Sequence, residues 1–158
     1  MLKSFSYSAT TVLALGTTWE LLSDIANWKT CSDVYADLGW SGKPWKPGSC
    51  IVGSLKYPVD LEFRYVLQAC NPPHQITYLA HGLEPAFKTH RIVHLNLRAV
   101  ENATTVELLS YVLGEPTAPG RAAGNLKAIT ERWLNGFVRF CDSRQGVQLP
   151  IVVAEKCR

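Results

Sequence analysis

The chain predicts an α+β domain: one bent, seven-stranded antiparallel sheet wrapped around a long C-terminal helix, with two short helices after the first strand. Three observations carry this expectation. Runs that alternate apolar and polar residues recur between residues 34 and 113. After the break "EPTAPG" (115–120), Leu126, Ile129, Trp133, Phe137 and Phe140 fall on one helical stripe. With 158 residues, 47% apolar and 18% charged, the chain suits a single domain with a sizeable core. A sheet apolar on one face and a helix apolar on one stripe each need a cover, and here each can cover the other.

The elements follow in order. "KSFSYSATTVL" (3–13) alternates and is rich in β-formers, so it reads as the first strand. "GTTWELLSDIANW" turns helical, with Trp19, Leu22 and Ile25 at helical spacing and Thr17 or Thr18 as the cap. Asn27-Trp28 closes this helix or starts a second one. "VYADLGW" (34–40) and "SCIVGSLKY" (49–57) are two strands flanking "SGKPWKPG", a hairpin loop with Trp45 as an exposed aromatic. Strands are expected at about 60–69, 75–82, 87–99 and 104–113, and the final helix ends near residue 142. The domain is therefore placed at 1–142, with 143–158 as a tail holding a short apolar run.

Composition excludes several function classes. The net charge is +3 and Lys and Arg are scattered, so no nucleic-acid partner is expected. No apolar stretch approaches the ~20 residues that span a bilayer, which argues against membrane insertion. The run Val12–Leu15 is too short for a secretory segment, so a cytoplasmic location is expected. The five cysteines show no CxxC and no metal-ligand spacing, and read as reduced thiols. No cofactor or metal is expected, since no dinucleotide or phosphate-loop fingerprint is present.

Strand registers come from the turns. In "FRYVLQACNPPHQITYLAHG" (63–82), two adjacent prolines cannot sit inside a ladder, so Asn71-Pro72-Pro73-His74 is a turn. Pairing Cys70 near Gln75 puts Leu61, Phe63, Tyr65, Leu67 and Ala69 on one face with Ile76, Tyr78 and Ala80. Glu62 and Arg64 then face solvent, whereas a one-residue slip would bury them. Across the next hairpin Tyr78 comes opposite Arg91 and Ile76 opposite Val93. Val93 then meets Ser110, Arg91 meets Val112 and Leu95 meets Leu108.

The inward face is thus apolar, with Tyr65, Tyr78, Arg91 and Ser110 as its polar members. A buried arginine without a partner is costly. Two readings stay open for Arg91: a structural one, at the sheet end or paired with Glu84, and a functional one, meeting a ligand oxygen. His90 and His94 point outward in this register. His81, at a strand end near "HGLEP", is an acid/base candidate.

In order and spacing these pieces resemble the START/Bet v 1-like helix-grip (SRPBCC) superfamily, nearest its polyketide cyclase/dehydrase and lipid-transport branch. The matching segments are the opening strand with "TTWELLSDIANW", "KPGSCIVG", "LQACNPPHQITY", "TTVELLSYVL" and the terminal aromatic helix. The resemblance implies a cavity between sheet and helix, whereas periodicity alone permits a solid core. Ligand-binding candidates are then Tyr65, Tyr78, Arg91, Ser110, Trp133, Phe137, Phe63 and Val93. The expected function is binding of a hydrophobic, lipid-, aromatic- or polyketide-like small molecule. The alternative is a cofactor-independent cyclase/dehydratase in which Arg91 stabilises an enolate while Tyr78 or His81 moves the proton. A third reading is a protein-interaction module using the outer sheet face or residues 147–153.

Overall fold

The computed structural model describes residues 3–57, 60–82, 90–113 and 121–145, with backbone only for 3 and 121–125. Its elements are β1 (Lys3–Thr11), α1 (Leu15–Leu22), α2 (Ile25–Thr30), β2 (Tyr35–Ser41), β3 (Cys50–Leu55), β4 (Leu61–Asn71), β5 (Gln75–Gly82), β6 (His90–Val100), β7 (Ala103–Leu113) and α3 (Arg121–Asp142). All strand pairs are antiparallel, in the order β1-β7-β6-β5-β4-β3-β2. The fold class is the expected one. No helix among the described residues is long and apolar enough to cross a membrane. Glu84 and residues 147–153 lie outside the described residues.

One side of the sheet is the core. Phe63, Tyr65, Leu67, Ile76, Tyr78, Ala80, Val93, Leu95, Leu97, Val106, Leu108 and Val112 are all buried, while Glu62 and Arg64 are exposed. The stripe of α3 closes this face with Trp133, Leu134, Phe137 and Cys141, all buried. Polar ties fix the helix along β1. The Tyr7 hydroxyl donates to Asn135 Oδ1 at 2.8 Å, and Asp142 Oδ1 accepts from the Thr11 hydroxyl at 2.6 Å and from Val12 N at 3.0 Å. Arg132, on the outer side of α3, pairs with Asp33 and lies over the Tyr57 ring.

Several local expectations are corrected. Thr18 does not cap α1: Ala14 takes that position, and the buried Thr18 hydroxyl donates back to Ala14 O at 2.9 Å. Asp24 caps α2, accepting from Ala26 N. Trp45 is not exposed. Only 5% of it is accessible, and its indole N–H donates to Ser23 O at 2.7 Å. Its backbone is left-handed (φ 63°), a conformation that costs of order 1 kcal/mol or more outside glycine. The hydrogen bond and the packing of its ring on Trp28 and Trp40 hold it there.

The β4–β5 turn closes as expected, with His74 N donating to Asn71 O at 2.8 Å. A bulge between Leu67 and Ala69, however, aligns Cys70 with Ile76 and Ala69 with Thr77. An extra residue in one strand inverts the alternation beyond it. Cys70 therefore packs against the core, and Ala69, expected on that face, does not. Cys70 is also disulfide-bonded rather than reduced, whereas Cys31, Cys50 and Cys141 are free. The β5–β6 hairpin is offset by two residues from expectation. Tyr78 faces Val93, Ile76 faces Leu95, and Arg91 faces Ala80. The β6–β7 pairs Val93–Ser110, Arg91–Val112 and Leu95–Leu108 are as read from the sequence.

Helix α3 approaches α2 closely at Gly136, where an added Cβ would lie 2.6 Å from Cys31 O and 2.8 Å from Ser32 Cβ. A backbone oxygen cannot swing away as a side chain can. Gly136→Ala should therefore lose about 1–3 kcal/mol in denaturant unfolding, despite a helix-propensity gain of about 1 kcal/mol. Gly16→Ala, in α1 with nothing within 4 Å of the new Cβ, should be neutral or stabilising by a few tenths of a kcal/mol. Equal stability for Gly136→Ala and the parent would contradict this packing.

Candidate functional site

Between the sheet and the first described turns of the α3 stripe lies an aromatic cluster with one cation. β4 supplies Phe63 and Tyr65, alternate residues that share a face because the strand period is two. β5 supplies Tyr78 by the same alternation, β2 supplies Tyr35, α2 supplies Trp28 and α3 supplies Trp133. The Tyr65 ring stacks on Tyr78 at 4.6 Å and packs tilted against Phe63 at 4.4 Å. Trp28 packs edge-on to Trp133 at 5.3 Å, and the Trp133 indole N–H donates to Trp28 O at 3.3 Å. Phe137 stacks behind Trp133 at 5.7 Å.

Arg91 enters this cluster from β6, half-buried, on the same side as Ala80 and Val112. Its Nη1 reaches Ser110 Oγ at 3.5 Å, and it shares the lining of one gap with Tyr65, whose phenol feels its charge. No carboxylate among the described residues pairs with it; the ion pairs there are Lys127–Glu131 and Arg132–Asp33. Tyr65 and Tyr35 hydroxyls lie 3.0 Å apart. The gap lined by Trp28, Tyr35, Tyr65, Tyr78, Arg91, Leu108, Ile129, Thr130 and Trp133 measures about 20 Å³. That is room for one water-sized group, since about 10–15 Å³ by this measure suffices for a water.

Burial pushes all three phenols above their ordinary pKa, with added repulsion on Tyr35 from Tyr65 and Tyr78. For Tyr65 the rise is opposed by the Arg91 charge and by the hydrogen bond it shares with the Tyr35 hydroxyl. All three are therefore neutral at pH 7 and serve as hydrogen-bonding groups rather than bases. Among the described residues no carboxylate or histidine lines this gap.

The structure thus brings together Tyr65, Tyr78, Arg91 and Trp133 around one gap, with Ser110 touching Arg91. Phe63, Val93 and Phe137 are buried behind them as packing. His81 is not brought to the cluster. Its neighbour Ala80 points inward, so His81 points outward, opposite Arg64 on one side and His90 on the other. Its imidazole pKa is lowered by partial burial and by the nearby His90 and Arg64. A role for His81 beside Tyr78 and Arg91 is at odds with this placement.

Tyr35 was not among the sequence candidates. A bulge between Tyr35 and Asp37 shifts the phase of β2, so Tyr35 faces inward together with Leu38 and Trp40. Plain alternation from Leu38 and Trp40 assigns Tyr35 to the outside, and no residue in "VYADLGW" signals the bulge. No cluster of three or more metal-ligating side chains occurs among the described residues.

No family model and no curated protein matches the sequence. Solved structures do match the fold. The Zhui aromatase/cyclase from a Streptomyces species superposes with TM-score 0.76 at 13% identity, over 93% of this chain and 98% of that one. One part of the di-domain ARO/CYC StfQ from the steffimycin biosynthetic pathway gives TM-score 0.74 at 16% identity, over 93% of this chain and 53% of that one. Ara h 8.0201 gives 0.73 at 9% identity, over 90% and 99%. At these identities the likeness establishes the helix-grip fold, which hosts many functions.

The buried phenols make an alkaline prediction. A phenol whose folded-state pKa lies above its unfolded value of about 10 keeps its proton in the folded protein after the unfolded chain has lost it. Stability is then intact below about pH 10 and falls as pH rises beyond it, by up to about 1.4 kcal/mol per pH unit for each such group. Tyr78→Phe should make that fall shallower in urea unfolding at about pH 9 and 11. A parent protein equally stable at both pH values would contradict the burial of these hydroxyls.

Proposed function

We propose that the protein binds a hydrophobic small molecule, aromatic- or polyketide-like, and receives one of its oxygens between Arg91 and Tyr65. The domain that does so is placed at 1–142. The observation that carries this reading is Arg91 itself: a cation on an apolar inner face, with a long contact to Ser110, the Tyr65 phenol on the same gap and no described carboxylate. Desolvating a guanidinium without neutralising it is unfavourable. A ligand carbonyl or phenolate would offset that cost. Apolar walls with a few convergent polar groups are what small-molecule pockets use, and the resemblance in fold to an aromatase/cyclase supports an aromatic or poly-carbonyl ligand.

A second reading, a cyclase/dehydratase acting on a poly-carbonyl substrate, draws on the same pair. Arg91 and Tyr65 line the same gap, where an enolate oxygen would be stabilised. That reading also needs a base, and the phenols, held above their ordinary pKa, do not supply one at neutral pH. Binding therefore fits the geometry better.

Native mass spectrometry of the purified protein should show a co-purifying small molecule, and calorimetric titration with it gives the affinity. Arg91→Leu should weaken binding about ten- to a hundredfold, the loss of a charge-assisted hydrogen bond worth roughly 1.5–3 kcal/mol. Thermal stability should be unchanged or higher, because Leu suits the apolar wall. Unchanged affinity with a clear drop in melting temperature would make Arg91 a structural residue.

A further inference from the structure

On the outer face of the sheet, His81 and His90 stand directly opposite each other on β5 and β6. Their rings meet at 75° with centroids 4.7 Å apart, and their Nδ1 atoms lie 2.6 Å from each other. At that distance one Nδ1 carries a proton and the other accepts it, so two imidazole nitrogens converge on a single point. Nothing in the inner cluster uses this pair.

We propose that His81 and His90 form a two-histidine chelate for a late first-row divalent ion such as Zn²⁺ or Ni²⁺. These ions prefer imidazole nitrogen. With metal–nitrogen bonds of about 2.0–2.1 Å, donors at a right-angle to tetrahedral spread sit about 2.9–3.4 Å apart. The rings need to separate by a few tenths of an ångström from their present contact and to turn so that both Nδ1 lone pairs aim at the ion. Neutral rings release no net proton on binding: the shared proton leaves Nδ1 as the other nitrogen, Nε2, takes one from solvent. Water completes the coordination on this open face.

The surroundings set the strength. Arg64 lies across from His81 on β4 and opposes a second cation, while Leu113 lies across from His90 and is neutral. His94 is engaged separately, by Thr77 at 2.8 Å. The ion would fasten β5 to β6 one residue from the Ala80–Arg91 pair, on the opposite face from the inner cluster.

Calorimetric titration of the full chain with ZnCl₂ and, separately, NiCl₂ tests this directly. One ion per chain should bind and raise the melting temperature by mass action. His81→Gln and His90→Gln should each weaken binding at least about tenfold, His94→Gln should leave it intact, and Arg64→Gln should tighten it. Absence of saturable one-to-one binding, or binding that survives both His81→Gln and His90→Gln, overturns the site. All four positions lie on the outer face, and thermal unfolding without metal shows whether each variant is folded.

Discussion

The burial of Trp28 is the contact on which the rest of the structure depends. The residue is 0% exposed, and its ring touches Tyr35 of β2, Trp45 of the β2–β3 loop, Tyr78 of β5 and Trp133 of α3. Its indole N–H donates to Leu22 O at 2.7 Å, and its carbonyl accepts from Trp133. One side chain thus joins the helical pair, the far hairpin, the sheet and the long helix. A bent sheet with one apolar face needs such a joint, because its edge strands β1 and β2 sit at opposite ends and share no ladder. β1 is tied instead to α3 through Tyr7–Asn135 and Thr11–Asp142.

The same packing shapes what the site can accept. Large rings with centroids 4.4–4.6 Å apart fill most of the space between sheet and helix and leave a gap of about 20 Å³ among the described side chains. Into that gap the fold directs a guanidinium and the Tyr65 phenol. Stability alone would favour an apolar residue in place of Arg91. Keeping a cation there makes sense if its partner arrives from outside, and the small gap matches a single oxygen rather than a ring.

Much of this was legible in the sequence, for a reason the hairpins make clear. The β5–β6 pairing is displaced by two residues from the expected register, yet every inward residue stays inward, because a two-residue shift preserves the period of a strand. Arg91, Tyr78 and Ser110 were therefore placed on the right face although Tyr78 pairs with Val93. Bulges are what alternation cannot see. The one after Leu67 turned Ala69 away and brought Cys70 in, and the one after Tyr35 brought a hydroxyl to within 3.0 Å of Tyr65 that a simple count assigns to solvent. Trp45 was misplaced for a different reason. A Gly/Pro-rich loop normally lies on the surface, but this one folds its aromatic back onto Ser23 O. His81 follows the strand rule strictly and so lands on the outer face, beside His90.

The central claim is that the inner cation is held for a ligand oxygen. A crystal structure of the protein with its co-purified small molecule tests that most directly. A ligand oxygen should lie within about 2.7–3.2 Å of both the Arg91 guanidinium and the Tyr65 hydroxyl, with the ligand's apolar body outside the gap. A ligand seated elsewhere, with Arg91 paired to a carboxylate of the protein, would contradict it.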